Sequence, residues 1–249
     1  MIIAHISDLH FGPQHRKEFF ARAVNEINKF KPDAVVITGD LTENGLLTEY
    51  KAAKQGIAKL DCKTKVILSG NHDYRSTGYL LFKQFFPSKQ VTEVEDVVVI
   101  PIGTARPDRD DGEAGHRQVL WAEETLMKYK TKFKIVALHH HLVPVPDTGK
   151  DSIPILDAGD VLRALLKGRV DLVMCGHRHR PWMWKIENFT IIHAGTLSSE
   201  RMRGFFSNCY NIVEINNRNV KTYLKVIGGK KMELSEIVKE ATLGIPEEY

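Results

Sequence analysis

The 249 residues, 43% hydrophobic and 27% charged, are enough for one domain with a full layered core and carry no bias toward disorder. A net charge of +4, with histidines neutral, falls short of the basic excess of a dedicated nucleic-acid binder. Cys62, Cys175 and Cys209 form no Cys-x-x-Cys pair, which argues against a disulfide framework and for a reducing compartment. The apolar run over residues 2–6 is too short for a signal segment, and no stretch reaches the length of a membrane span. The expected location is therefore the cytoplasm.

Strand and helix patterns alternate from the start. Residues 2–6 read as a short apolar strand. Phe19, Ala23, Ile27 and Phe30 recur at helical spacing, which predicts a helix over 15–30, stopped by Lys31-Pro32-Asp33. A β-branched strand over 34–38, a helix over 47–60, a strand over 65–68 and a helix over 79–86, ended by Pro87, follow. Residues 91–93 and 97–102 read as a hairpin around Glu95-Asp96. Next come a helix over 118–129, a strand over 134–138, and a loop over 141–151 with Pro144, Pro146 and Gly149. A helix over 157–166 and a strand over 170–174 precede a mostly β final third. Its strands are expected at 182–186, 190–193, 209–215 and 220–226, with Asn216-Asn217 beginning the last turn. A short helix over 235–241 lies in a C-terminal appendage, residues 230–249, beside one domain over 1–229.

Five short motifs stand at predicted strand ends: Asp8-Leu9-His10, Gly39-Asp40, Gly70-Asn71-His72-Asp73, His139-His140-His141 and Gly176-His177-Arg178-His179. Ligands of open α/β sheets bind beyond the carboxyl ends of the strands, so all five can converge. Residues i and i+2 of an extended segment point to one side, which lets Asp8 with His10, and His177 with His179, face one region while Leu9 and Arg178 turn away. The donors are carboxylate and amide oxygens and imidazole nitrogens without a thiolate, a set that suits Mn, Fe or Zn better than Ca or Mg. There are more donors than one ion needs, and two ions bridged by one carboxylate would use them all. Taken singly, Asp8 and Asp40 could be caps, Asn71 a turn residue and His177 and His179 surface groups. All five in order, each after a strand, make a specific signal.

In this order the motifs resemble the calcineurin-like metallophosphoesterase superfamily over residues 8–179. The openings His5-Ile6-Ser7-Asp8 and Gly70-Asn71-His72-Asp73 are most similar to its class III cyclic-nucleotide phosphodiesterase branch. The resemblance implies an α/β fold, a two-sheet mixed β-sandwich flanked by helices in four αββα layers, with residues 1–229 as the catalytic domain. It implies two divalent or trivalent transition-metal ions (Mn, Fe or Zn). Asp8, His10 and His179 would hold the first, Asn71, His139 and His177 the second, and Asp40 both. His139 is preferred over His140 because it is the first residue after its strand. His72 would be the non-ligand histidine beside the scissile phosphate, giving a proton or hydrogen bond to the substrate, and Asp73 would orient His72 or a ligand histidine. The implied reaction is hydrolysis of a phosphodiester, a 3',5'-cyclic nucleotide among the candidates, by a metal-bridging hydroxide. The alternatives are a phosphomonoesterase and a phospholipid-headgroup or glycerophosphodiester hydrolase.

The modest charge and the lack of dense Lys/Arg tracks argue against a nuclease. Complete ligand positions argue against an inactive scaffold. The expected partner is a small phosphoester, a nucleotide among the candidates, and a homodimer is left open. His5 and His193 are expected in the core, His140 and His141 at or behind the site, and His15 and His116 in solvent. Arg201 and Arg203 could hold a phosphate or be solvated loop charges. Trp182 and Trp184 are expected to pack a sheet face, and Glu43 and Asn44 to shape the pocket or form a turn. Selectivity is expected in the loops over 104–116 and 141–156.

Overall fold

The structure, a computed structural model, describes residues 1–86, 90–149, 154–203 and 206–242. The first half runs β1 (Ile2–Ile6), α1 (Lys17–Phe30), β2 (Ala34–Ile37), α2 (Leu47–Ile57), β3 (Lys65–Ile67), α3 (Gly78–Phe85), β4 (Thr92–Val94) and β5 (Val97–Pro101). The second half runs α4 (His116–Lys128), β6 (Phe133–Ala137), α5 (Ala158–Lys167), β7 (Leu172–Cys175), β8 (Trp182–Ile186), β9 (Phe189–His193), β10 (Cys209–Asn216), β11 (Asn219–Val226), β12 (Lys231–Glu233) and α6 (Leu234–Thr242). A short 3-10 helix, His72–Tyr74, follows β3.

Two mixed six-stranded sheets result, ordered β12-β11-β10-β1-β2-β3 and β4-β5-β6-β7-β9-β8. β1, β2 and β3 are mutually parallel, as are β5, β6, β7 and β9. Their crossover helices force burial on both strand faces, which is why AVVI of β2 and FKIVA of β6 are buried throughout. Ile3, Val36, Val99, Ile135, Met174 and Ile192 meet between the sheets. The outer face of the first sheet takes Phe20, Ala23 and Ile27 of α1 and Tyr50, Ala53 and Ile57 of α2. The outer face of the second takes Val119, Ala122 and Leu126 of α4 and Val161, Ala164 and Leu165 of α5. The expected four-layer αββα sandwich is the observed one. Each fully buried aliphatic side chain contributes about 1.5–3 kcal/mol, so these three clusters are the main favourable term.

The structure differs from the sequence reading in a few places. α1 begins at Lys17, because His15 is held outside it: its ring stacks on Phe11 at 4.0 Å and its backbone bridges to Ser199. His15 is accordingly half-buried, not solvated. The β10–β11 turn lies one residue later, at Asn217-Arg218, both with positive φ (47° and 72°), because Asn216 pairs with Asn219. Two left-handed residues are what a two-residue hairpin of matching twist requires. β12 carries one apolar residue, Met232, and offered no alternation to read. It pairs with β11, and Leu234 and Ile237 of α6 are buried against the inter-sheet cluster. Pro87, Asp151 and residues 243–249 lie outside the described residues. No helix among the described residues is long and apolar enough to cross a membrane.

His5 and His193 are fully buried. Burial pushes His5 down to about 3, against a smaller opposing effect of Asp8, and pushes His193 well below the usual imidazole range. Both are neutral in the folded chain and take a proton in the unfolded chain below pH ~6.5, so their contribution falls as pH drops below that value. In chelator-treated protein, His193→Leu should flatten the fall of the unfolding free energy from urea titrations between pH 6.5 and 4.5, by at most ~1.4 kcal/mol per pH unit. An unchanged slope would show that His193 does not resist protonation.

Candidate metal centre

All five motifs lie just beyond the carboxyl ends of β1, β2, β3, β6 and β7, at one edge of the sandwich. Backbone pairing continues past the strands: Asp8 N donates to Gly39 O (3.0 Å), His10 N to Asp40 O (2.9 Å) and Gly176 N to His139 O (2.9 Å). Asp8, His10, Asp40, His177 and His179 all have positive φ, between 47° and 71°. The reason expected for their convergence, strand alternation, is therefore replaced by another. Left-handed kinks swing the side chains inward, at a local cost of about 1–3 kcal/mol each that the surrounding packing must offset. Leu9 turns into the core, and Arg178 donates to the Thr148 carbonyl. Gly39 (φ +99°) and Gly70 allow the close approach of the β2 and β3 ends. A Cβ on Gly39 would lie 2.6 Å from His139 Nδ1, and one on Gly70 would lie 2.6 Å from Asp40 N.

The donor atoms gather in two groups. In one, His10 Nε2 is 3.0 Å from His179 Nε2 and 3.8 Å from Asp8 Oδ1, and His179 Nε2 is 3.1 Å from Asp8 Oδ1. In the other, Asn71 Oδ1 is 3.1 Å from His139 Nε2 and 3.0 Å from His177 Nδ1. Asp40 Oδ2 faces both, 3.7 Å from His10 Nε2 and 3.4 Å from His139 Nε2, while its Oδ1 accepts from His72 N at 2.9 Å. Nitrogen and oxygen ligands ~2.1 Å from a cation lie ~3.0–3.4 Å apart, which matches these spacings except the two from His10 Nε2 to Asp8 and Asp40, at 3.8 and 3.7 Å.

His10 Nδ1 donates to Glu43 Oε2 (2.8 Å), His139 Nδ1 to Thr38 O (2.6 Å), and His179 Nδ1 to Arg201 O. Each Nε2 of a neutral ring is then a lone pair. Asn71 Nδ2 donates to Asp110 Oδ1 (2.9 Å), which turns the amide oxygen toward His139 and His177. Acceptors thus face acceptors, and Asp8 Oδ1 is buried with no hydrogen-bond partner among the described residues. Such an arrangement calls for positive charge at its focus. The pKa directions agree. Burial lowers His10, but bonds to Asp8 and Glu43 and the charges of Asp40 and Asp8 override it and raise it to about 10. Burial likewise lowers His139, and Asp40 above all raises it to about 9. Asp8 and Asp40 sit well below the carboxylate range, because the histidines outweigh burial.

His140 bonds Thr104 Oγ1 through Nδ1 at 2.8 Å, and its ring packs against those of His139 and His177, with centroids 4.9 and 4.5 Å away, so it too lies within reach of the second group. Asp73 does not bond a histidine: its carboxylate accepts from Leu41 N, Thr42 N, Thr42 Oγ1 and Gly70 N, and so staples the β2 loop to the β3 loop. Burial and then the Asp40 charge push it up to about 6. His72 is buried beside the centre, and desolvation lowers it. A cavity of about 360 Å³ opens over Asp40, Asn71 and His72, walled by Arg75, Arg201 and Arg203. Arg201 Nη2 is 3.0 Å from Glu43 Oε1, and Arg203 Nη1 donates to Thr148 O, so neither is a free loop charge. Trp182 is buried against Trp184, outside the cavity wall.

Sequence reasoning missed Arg75 and Asp110 and undervalued Glu43. Arg75 had a signal, two residues past the Gly70–Asp73 motif. Asp110 had none, since its role depends on how the 104–116 loop folds back.

Residues 1–181 match the family described as calcineurin-like phosphoesterase. This chain belongs to the calcineurin-like phosphoesterase family. That is a family of phosphoester hydrolases, and its members use a dinuclear metal centre for which this chain has candidate ligands. A probable glycerophosphodiester phosphodiesterase GpdQ from Arcobacter nitrofigilis is 29% identical over 199 residues, 72% of each chain. The 3',5'-cyclic adenosine monophosphate phosphodiesterase CpdA of Escherichia coli K12 is 28% identical over 151 residues, 59% of this chain and 54% of that one. In fold, the chain is similar to the purple acid phosphatase PPD1 of yellow lupin, with a TM-score of 0.74 at 13% identity. The match covers 94% of this chain and about half (52%) of the lupin chain.

Because a Cβ at Gly70 would press on the Asp40 backbone, Gly70→Ala should destabilise the fold by about 1–3 kcal/mol, read from urea unfolding. Stability equal to the parent would mean that the β2 and β3 ends are not in the contact described.

Proposed function

We propose that this protein is a phosphodiesterase acting at two transition-metal ions that share Asp40. The observation that carries it is the convergence of fixed lone pairs on two points, one on each side of Asp40 Oδ2. Asp8, His10 and His179 would hold one ion, and Asn71, His139 and His177 the other. The nitrogen and oxygen donor set favours Mn, Fe or Zn. When bound, the pair supplies an activated water near neutral pH and positive charge for the phosphate oxygens.

The chain's own residues do the rest. Glu43 and the carbonyls of Thr38 and Arg201 hold three imidazoles in the liganding tautomer, and Asp110 holds the Asn71 amide. Arg75, Arg201 and Arg203 line the cavity as donors for phosphate oxygens. The relatives named as diesterases support a small diester, either a glycerophosphodiester or a cyclic nucleotide.

The test is a panel of bis(p-nitrophenyl) phosphate, glycerophosphodiesters, cyclic AMP and monoesters on Mn-, Fe- and Zn-loaded protein. Diester hydrolysis that a chelator abolishes and metal restores is expected. Metal-loaded protein inert to every ester would overturn the reading. Asp40→Asn should cost at least one bound ion per chain by elemental analysis.

Asp110→Ala frees the Asn71 amide and should weaken the second ion ~10–100-fold in a metal titration while sparing the first. Two ions held as tightly as in the parent would leave Asp110 without this role.

Protons on His10 and His139, raised to about 10 and 9, must leave when ions bind. Metal affinity should therefore fall as pH drops, and calorimetry in buffers of different ionisation enthalpy should read proton release on loading. Loading without proton release would contradict the proposed roles of both histidines.

A further inference from the structure

His72 stands where a proton donor is expected, but its contacts assign it the opposite polarity. Its Nδ1 is 2.7 Å from the Glu43 carbonyl oxygen, an atom that only accepts, so Nδ1 carries the hydrogen. Its Nε2 is 3.2 Å from Arg75 Nη2, a group that only donates, so Nε2 carries the lone pair. The two contacts agree on one tautomer, and in it the edge of the ring nearest the cavity is already taken by a guanidinium hydrogen. An imidazole bonded this way has no N–H left for a substrate.

Arg75 does. Its guanidinium has five N–H donors and lies on the cavity wall with Asp40 and Asn71. Nη1 donates to Glu43 O at 3.1 Å, Nη2 bonds His72 Nε2, and the Asp110 carboxylate lies 3.5 Å from Nη2. Those contacts use three donors at most and fix the guanidinium plane from three directions. At least two hydrogens remain for a ligand, on a side chain that is one-third exposed (32%). The carboxylate nearby, Glu43, is divided between His10 and Arg201, at 2.8 and 3.0 Å, and lies 3.9 Å from Arg75.

We infer that Arg75 is a catalytic residue that donates hydrogen bonds to the oxygens of the scissile phosphate, and that His72 is its positioning residue. The inference rests on the phosphodiesterase reading and names the group that does what His72 was expected to do. No proton leaves Arg75, because guanidinium stays protonated at any working pH. In the balanced reaction, water loses one proton to solvent as its oxygen bonds to phosphorus, the bond from phosphorus to the leaving oxygen breaks, and that oxygen takes a proton back from solvent. Arg75 stabilises the negative charge while this happens, a planar fork matched to two oxygens of one phosphate.

The test compares Arg75→Ala, Arg75→Lys, His72→Ala, His72→Gln and the double variant R75A/H72A on Mn-loaded protein. It reads metal content, calorimetric binding of inorganic phosphate, and kcat and KM for bis(p-nitrophenyl) phosphate. Arg75→Ala should keep parental metal content, bind phosphate ~10–100-fold more weakly and lose ~100-fold or more in kcat. Arg75→Lys should recover part of both, since it restores the charge without the fork. His72→Ala should also keep its metal and show a smaller loss, partly recovered in His72→Gln, whose amide oxygen can accept from Arg75. In the Arg75→Ala background, loss of His72 should add little, because the two act as one unit. Parental phosphate binding and kcat in Arg75→Ala would overturn the inference, and so would losses that simply multiply in the double variant. A parent inert to all esters would instead sink the underlying phosphodiesterase reading, which separates the two failures.

Discussion

Everything in this site depends on buried acceptors facing acceptors. His10 and His179 point Nε2 at Nε2 across 3.0 Å, and the Asn71 carbonyl oxygen faces two ring nitrogens. In water such groups would turn away or hydrate. Here they cannot, because Glu43, the carbonyls of Thr38 and Arg201, and Asp110 hold the opposite ends. The protein's own charges respond by driving protons onto His10 and His139, the local remedy for converging negative potential. Cations are the other remedy, and the two compete for the same lone pairs.

That convergence is costly to build, and the fold distributes the cost. Five of the gathered residues take left-handed backbone conformations just after strands that are buried throughout, apart from Ile2 at the start of β1. The three apolar clusters hold the strands, and the strand ends hold the kinks through pairs such as Asp8 with Gly39 and His10 with Asp40. The two sheets are tied at this edge by His177 N donating to Asp8 Oδ2 at 3.0 Å. Asp73 does the same between neighbouring loops of one sheet with four accepted bonds. A carboxylate in a catalytic-looking motif thus serves the backbone, while the glutamate that holds His10 lies outside any motif.

The cavity shows a similar division of labour. Cationic groups come from the segment after the third strand and from the loop before β10, which are far apart in sequence. Glu43 is the hub that brings them together, since His10, His72, Arg75 and Arg201 all lie within ion-pair range of its carboxylate. One buried carboxylate thereby links a ring of the candidate metal centre to two arginines that line the cavity.

The sequence by itself determined the sandwich and the gathering of motifs. Buried β-branched strands, amphipathic helices and donors placed at strand ends are local patterns, and hydrophobic burial turns them into layers with little choice. Only the tertiary structure decided which histidine nitrogen points inward, that Asp73 serves the backbone, and that Asp110 and Arg75 belong to the site. Those outcomes depend on hydrogen-bond partners tens of residues away, such as Asn71 with Asp110 and His139 with Thr38, and a partner that distant leaves no periodicity or spacing to read.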